Sequence, residues 1–129
     1  MASYENTPID PCIQRIVDGH PPLFRGRAPV VTSDLPEGWF AIADQLCSSI
    51  ERELGKQGCA AVEVRQIKEK FASLRFYLRE VDANGVQLPS EDAMSRVRNL
   101  IADASSLSER TCLVCGATGA VHNVDGYMA

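Results

Sequence analysis

The sequence has few of the residues on which side-chain catalysis depends. It contains two histidines, His20 and His122, and neither lies in a local pattern with a nucleophile. Nucleophilic catalysis needs a base within hydrogen-bond reach of the attacking group, so only a pairing with Cys47 or Cys59 through the fold stays open. Carboxylates are scattered without a paired motif, and no glycine-rich phosphate loop is present. We therefore expect no enzyme active site.

Long apolar runs are also lacking, as is a basic and apolar leader after Met1. The first absence argues against membrane-spanning helices and the second against secretion. The five cysteines are an odd number, which favours reduced thiols over a disulfide framework. We expect a soluble, cytoplasmic protein with no membrane partner.

The totals are those of an ordinary globular domain. The chain has 129 residues, of which 45% are hydrophobic and 23% charged, so one apolar core suffices. The net charge of −4 argues against a dedicated nucleic-acid binder, because such domains are usually strongly basic. A local basic patch remains compatible with this acidic total.

Prolines divide the chain, because five of the seven occur in the first 31 residues. Proline fixes φ and removes a hydrogen-bond donor, so this segment holds at most a short helix. Asp10 is a candidate N-cap, Pro11 suits the first helical position and Gly19 ends the pattern. We predict a proline-rich arm (1–31) packed against an α-β-β-α core (32–110), followed by a cysteine-containing tail (111–129).

Two segments of the core repeat apolar residues at helical spacing. The first is predicted to start at Asp34 as N-cap, with Glu37 as its capping partner, and to end at Gly55. The second is predicted to start at Ser90. Their apolar stripes, with Trp39 interpreted as core, are Trp39, Ile42, Ala43, Leu46, Ile50 and Leu54, then Met94, Val97, Leu100, Ile101, Ala104 and Leu107.

Between these helices the apolar period changes to two, which indicates strands. Val62 and Val64 alternate with polar residues, and after a turn near 68–72 a second alternating run covers 74–79. The pattern predicts an antiparallel hairpin, and Asn84-Gly85 suggests a turn to a short third strand over 86–88. Two amphipathic helices packed with a half-buried hairpin make an α+β fold.

The polar face of the hairpin is rich in basic residues and carries one tyrosine. Arginine and tyrosine are favoured at interface centres, so an acidic protein or, less readily, a nucleic-acid backbone would suit this face. The alternative is a solvated strand face whose charges are balanced by Glu63, Glu69 and Glu80. The candidate partner-binding residues are Arg65, Lys68, Lys70, Arg75, Tyr77 and Arg79.

Cys112 and Cys115 are spaced so that both thiolates can face one metal ion, and Gly116 lets the turn close. His122 is the only other good ligand nearby, so three of the four ligands of a zinc site are visible in this region. Either zinc binds there, with a fourth ligand from elsewhere, or the segment is a metal-free, degenerate knuckle. A thioredoxin-like redox role is disfavoured, because that motif precedes a helix and this pair follows one.

Several motifs occur in one order that resembles an uncharacterised family of small proteins from bacteria, prophages and phages. The shared features are a Lys-Glu-Lys-Phe-x-x-Leu-Arg-Phe-Tyr hairpin (68–77) and a C-terminal Cys-x-x-Cys-Gly, preceded by Gly38-Trp39-Phe40 and Leu46-Cys47. The resemblance implies phage accessory factors or neutralising partners of bacterial toxins. It also implies a second cysteine or histidine pair after a Gly-aromatic stretch. Here Gly126-Tyr127 leads only to Ala129, which suggests a truncated chain or a lost site.

These observations favour a non-catalytic protein-binding factor, such as an immunity or antitoxin-like protein or a phage counter-defence protein. The alternative hypothesis is a zinc-knuckle module that binds nucleic acid or regulates another protein. A thiol-dependent enzyme is the third and most distant possibility.

Overall fold

The computed structural model describes residues 9–81 and 85–117. In chain order these residues form helices α1 (Pro11–Gly19) and α2 (Pro21–Phe24), a 3₁₀-helix (Glu37–Trp39), helix α3 (Phe40–Ala60), strands β1 (Val62–Lys70) and β2 (Ser73–Glu80), and helix α4 (Glu91–Ser108). The predicted α+β fold, with two main helices and an antiparallel hairpin, is confirmed. Within this part of the chain no helix is both long and apolar enough to cross a membrane.

The described part of the N-terminal arm contributes directly to the core. The Asp10 carboxylate accepts hydrogen bonds from the backbone N–H groups of Cys12 and Ile13, at 3.1 and 3.2 Å, and so caps α1. Ile16 in this helix and Leu23 in α2 are buried in the same apolar cluster as the long helices. The arm is therefore held by buried apolar surface as well as by its cap.

Helix α3 differs from the prediction at both ends. Asp34 does not cap it, because its backbone N–H donates to the Ile67 carbonyl at 3.0 Å and the chain turns helical only at Glu37. Gly55 has a φ of 71° and breaks the helical geometry, but a further helical segment continues to Ala60. The Arg25 guanidinium donates to the Cys59 carbonyl at 2.8 Å and so satisfies an orphan acceptor at this helix end.

The two strands pair in antiparallel register, with Ile67 opposite Phe76. A bulge lies between Val64 and Gln66, so Arg65 is the extra residue on β1. Both outer edges have partners: residues 30–34 hydrogen-bond along β1, and the Ser108 hydroxyl accepts from the Leu74 N–H at 2.8 Å. Covered edges discourage unwanted strand pairing.

The predicted third strand over 86–88 is wrong, because the structure places these residues in irregular conformation and the sheet of the described residues has two strands. Asn84 of the predicted turn lies outside the described residues. The irregular segment instead leads to α4, where the Ser90 hydroxyl accepts from the Ala93 N–H at 3.0 Å, as predicted. The edge of β2 to which such a strand would return is covered by α4, whose Ser108 hydroxyl accepts from the Leu74 N–H.

Trp39 lies at the centre of the core and is fully buried, as predicted. Its indole N–H donates to the Thr111 carbonyl at 3.0 Å, which satisfies the one polar atom of the ring. Helix α4 contributes Met94, Val97 and Ala104 to the same cluster, whereas Leu107 at its end is 41% exposed. Helix α4 thus packs on both α3 and β2.

Candidate interaction face and cysteine knuckle

The six residues predicted to bind a partner have outward side chains on the hairpin, on the same side as Glu63 and Gln66, and this side is here called the hairpin face. The structure brings them together on two adjacent strands. Some of the basic side chains have a carboxylate partner and the others do not. Glu63 lies 3.1 Å from the Arg79 guanidinium and 3.9 Å from that of Arg65. These two arginines therefore already have a carboxylate partner, at the end of the face far from the turn.

The other three cations, here called the cation cluster, are Lys68, Lys70 and Arg75. Lys68 and Arg75 are direct cross-strand partners, an arrangement in which like charges destabilise the sheet. Within the described residues no carboxylate oxygen lies within 4.0 Å of any of the three. The cation cluster is therefore an uncompensated positive region beside the turn.

The Arg75 side chain is also incompletely satisfied. Its Nε atom is buried and has no hydrogen-bond partner in the described part of the chain. A buried donor without an acceptor costs about 1–3 kcal/mol, and more when the group is charged. This unpaired donor is a local cost within the hairpin, and because the atom is buried it is not itself a contact point for another molecule.

The acidic side chain whose charge Lys68 influences is Asp34, in the segment along β1. Burial raises the pKa of Asp34, the charge of Asp10 raises it further, and Lys68 acts in the opposite direction. The Lys68 ammonium and the Asp34 carboxylate are nevertheless not within ion-pair distance. Asp34 therefore moderates the positive potential of the cation cluster without neutralising it.

Tyr77 continues the face beside Arg75 and is 45% exposed. It stands opposite Gln66, whose side-chain amide donates to the Thr32 carbonyl at 2.8 Å. The N-terminal segment thus borders the face on the β1 side and holds Gln66 in place. Tyr77 presents its ring and hydroxyl between the balanced and the unbalanced halves of the face.

Residues 112–117 form a tight turn, here called the cysteine knuckle. The Cys112 N–H donates to the Ala117 carbonyl at 2.8 Å, and the Gly116 N–H donates to the Cys112 carbonyl at 3.0 Å. The Cys115 N–H points at the Cys112 sulfur at 3.4 Å. Hydrogen bonds from the backbone of Cys115 and then of Val114 lower the pKa of the Cys112 thiol, and so favour the thiolate that a metal requires.

The knuckle is docked on the domain through Gly38. The Gly38 N–H donates to the Leu113 carbonyl at 2.8 Å, and a Cβ added at Gly38 would lie 2.1 Å from the Cys112 carbonyl oxygen. Only glycine permits this approach of two backbones. A glycine in the first turn of a helix is itself a sequence signal for such close contact, since it costs helix stability, and sequence reasoning missed it.

The predicted third metal ligand, His122, lies outside the described residues. Among the residues that are described, no group of three or more histidine, cysteine or acidic side chains is close enough to hold a metal ion. Cys112 and Cys115 are two side chains of the type that zinc takes as ligands. The redox alternative is not favoured, because 112–117 form a turn and not the N-terminus of a helix.

The pairing of His20 with a cysteine, left open by the sequence, is not formed. His20 is buried, with Nε2 at 2.7 Å from Asp44 and Nδ1 at 3.0 Å from Glu51. Burial raises the pKa of Cys47 and raises that of Cys59 to about 11, so neither thiol is activated as a nucleophile. His20 instead joins the start of α2 to helix α3.

Comparison with known proteins supplies no relative from which a role could be transferred. No protein-family model matches the chain, and no match is found among curated proteins or among solved structures. The geometry of the hairpin face and of the cysteine knuckle is thus the basis for a functional proposal.

Proposed function

We propose that this protein is a non-catalytic binding factor whose hairpin face contacts an acidic surface of another protein. The observation that carries the proposal is the opposition of Lys68 and Arg75 on adjacent strands, with no carboxylate oxygen within 4.0 Å of either in the described part of the chain. By its resemblance to small bacterial and phage proteins, the binder would be of the toxin-neutralising or phage accessory type. The five free thiols suit a reducing cytoplasm.

The energetic basis is relief of a conflict within the hairpin. Two cations directly opposite each other repel, and a carboxylate bound between Lys68 and Arg75 would replace this repulsion with two charge-assisted hydrogen bonds. Arginine can hold a carboxylate through two parallel N–H donors, which adds geometric specificity. A charge pair desolvated at an interface is worth about 1.5–7 kcal/mol in coupling energy.

A protein partner is favoured over nucleic acid by the balance of charge. The whole chain has a net charge of −4, so attraction of any negatively charged partner is confined to the cation cluster. The cation cluster holds three residues, and Glu63 already compensates the two arginines beyond it. A short acidic patch on a protein matches this limited area better than a continuous phosphate backbone does.

The test is a charge reversal that leaves the hairpin intact. Arg75→Glu places a carboxylate opposite Lys68, so the fold should be as stable as before or more stable. The matched control is Arg52→Glu, because Arg52 is exposed on α3 and the change in net charge is the same. Immobilised wild-type chain and both variants are incubated with nuclease-treated lysate of the native host.

We expect wild type and Arg52→Glu to retain the same protein, and Arg75→Glu to lose it. Equal retention by all three chains would remove the hairpin face from the proposed function. Thermal unfolding of each variant shows separately whether a loss of binding reflects a loss of fold.

A second candidate function, a zinc-knuckle module that binds nucleic acid or regulates another protein, is favoured by one observation. The cysteine knuckle has a closed, hydrogen-bonded turn in which the Cys112 sulfur accepts a backbone N–H. It is held on the domain by Gly38 and Trp39. Cys112 and Cys115 would be the zinc ligands, with His122 as the third that the sequence offers.

Metal analysis tests this candidate. One zinc per wild-type chain, lost in Cys112→Ser, together with salt-sensitive binding of a nucleic-acid oligomer, is the pattern it requires. A metal-free wild-type chain that binds no oligomer would exclude it. The Arg75→Glu variant would affect the first candidate function and leave the zinc content unchanged, so the two proposals are separable.

A further inference from the structure

The hairpin turn presents an aromatic ring to solvent. The strands pair up to Lys70 and Ser73, so the loop consists of Phe71 and Ala72 alone. Phe71 is 82% exposed, more than any other large hydrophobic residue among those described. Exposure of a single apolar residue is common, but this one lies at the tip of a paired hairpin.

The backbone of this loop is strained in a way that favours function over stability. Phe71 has a φ of 54° and Ala72 a φ of 61°. Two-residue loops with both residues in the left-handed region normally carry asparagine or glycine, and a bulky side chain there is unfavourable. The Glu69 carboxylate accepts from the Ala72 N–H at 2.8 Å and so helps to hold the turn. Strain that local contacts maintain points to a site where the side chain itself is needed.

The surroundings of the ring are positive. The Lys70 ammonium lies 5.6 Å from the centre of the Phe71 ring, and the opposed pair Lys68 and Arg75 lies further along the hairpin, beyond the Glu69–Leu74 pair. An apolar group with Lys70 beside it and the pair Lys68 and Arg75 on the same hairpin matches an apolar pocket with carboxylates at its rim. This combination, an aromatic anchor within a charged rim, is the usual form of an interface hot spot.

We propose that Phe71 inserts into an apolar pocket of a protein partner, and that carboxylates at the pocket rim contact Lys68, Lys70 and Arg75. The inference rests on the proposed function and specifies the partner's surface. A single ring on a rigid two-residue loop fits a concave pocket. A single-stranded nucleic acid would instead need several stacking rings along a basic track, and stable membrane anchoring needs a stronger apolar signal than one phenylalanine.

Two substitutions in the loop separate the ring from the strain. Phe71→Gly removes the ring and relaxes the backbone, so the melting temperature should not fall while binding weakens about thirty-fold. Ala72→Gly relaxes the backbone and keeps the ring, so it should bind as wild type does. The binding probe is the protein that immobilised wild-type chain retains from nuclease-treated lysate, measured by calorimetry.

A photo-crosslinking phenylalanine analogue identifies the contact directly. Placed at position 71 it should cross-link to apolar residues of the retained protein that have aspartate or glutamate nearby in that protein. The same analogue at Leu107, which is 41% exposed on α4, is the control and should give no cross-link to that site.

The outcomes distinguish this inference from the proposed function. Loss of binding in Arg75→Glu with wild-type binding in Phe71→Gly would overturn the anchor role and leave the hairpin face as the binding surface. Unchanged binding in both variants would overturn both proposals. Cross-linking at position 71 to RNA, to vesicles of phosphatidylserine and phosphatidylcholine, or to nothing would overturn the protein pocket.

Discussion

Gly38 is the position where a single methyl group should have the largest effect on stability. A Cβ there would lie 2.1 Å from the Cys112 carbonyl oxygen, 2.6 Å from the Leu113 carbonyl carbon and 2.7 Å from the Gly116 nitrogen. All three atoms belong to the backbone, so no side chain can rotate away. The Gly38→Ala substitution must therefore displace the cysteine knuckle from the 3₁₀-helix.

The cost follows from the contacts that would be lost. Overpacking costs about 1–3 kcal/mol, and loss of the hydrogen bond from Gly38 to Leu113 adds about 1 kcal/mol. The lower backbone entropy of alanine in the unfolded chain offsets about 0.4–1 kcal/mol. We expect Gly38→Ala to lower the free energy of unfolding by about 2–3 kcal/mol.

Urea unfolding monitored by tryptophan fluorescence measures this directly, because Trp39 is the only tryptophan and is buried beside the substitution. The control is Gly19→Ala at the end of α1, where an added Cβ meets no atom within 4 Å. That change should be neutral or stabilising by up to about 1 kcal/mol. Equal stability of the two variants would refute the close docking of the knuckle.

Two further predictions concern buried polar and thiol groups. His20→Ala should destabilise the fold by about 1–3 kcal/mol, because it removes a buried side chain together with its hydrogen bonds to Asp44 and Glu51; a melting temperature equal to that of wild type would contradict this. Burial raises the Cys59 pKa to about 11 from the usual 9.0, so the folded chain holds this proton to a higher pH than the unfolded chain. The protonated Cys59 thiol contributes up to about 3 kcal/mol to the free energy of unfolding. This contribution is complete below pH 9 and is lost as the pH rises through 11. When the free energy of unfolding is measured between pH 9 and 11, it should decline less steeply in Cys59→Ala than in wild type. The control is Cys115→Ala, because the Cys115 thiol is exposed. Equal declines in the two variants would refute the role of the buried Cys59 thiol.

The elements that the sequence predicted are those set by local signals. The caps at Asp10 and Ser90 and the apolar stripe around Trp39 depend on neighbouring residues, and the structure has them as expected. Asp34 has equally good local capping chemistry. It fails to cap because its backbone is drawn into pairing with β1, a long-range contact that no local pattern encodes.

The residues of the candidate site could be predicted from the sequence, but which of its basic side chains have a carboxylate partner could not. Alternation along the strands places the basic side chains on one face. Which of them find a carboxylate depends on the exact register, including the bulge at Arg65, and on the position of Glu63 across the hairpin. The exposure of Phe71 likewise depends on a two-residue loop where the sequence indicated a longer turn over 68–72.

The cation cluster on the hairpin is the surface that we propose binds an acidic protein. The most direct test of this proposal is the affinity of the retained partner for wild type, Arg75→Glu and Arg52→Glu, measured by calorimetry at low and high salt. We expect Arg75→Glu to bind about thirty-fold more weakly than Arg52→Glu, with a smaller difference at high salt. Equal affinities of the two variants at low salt would contradict the account.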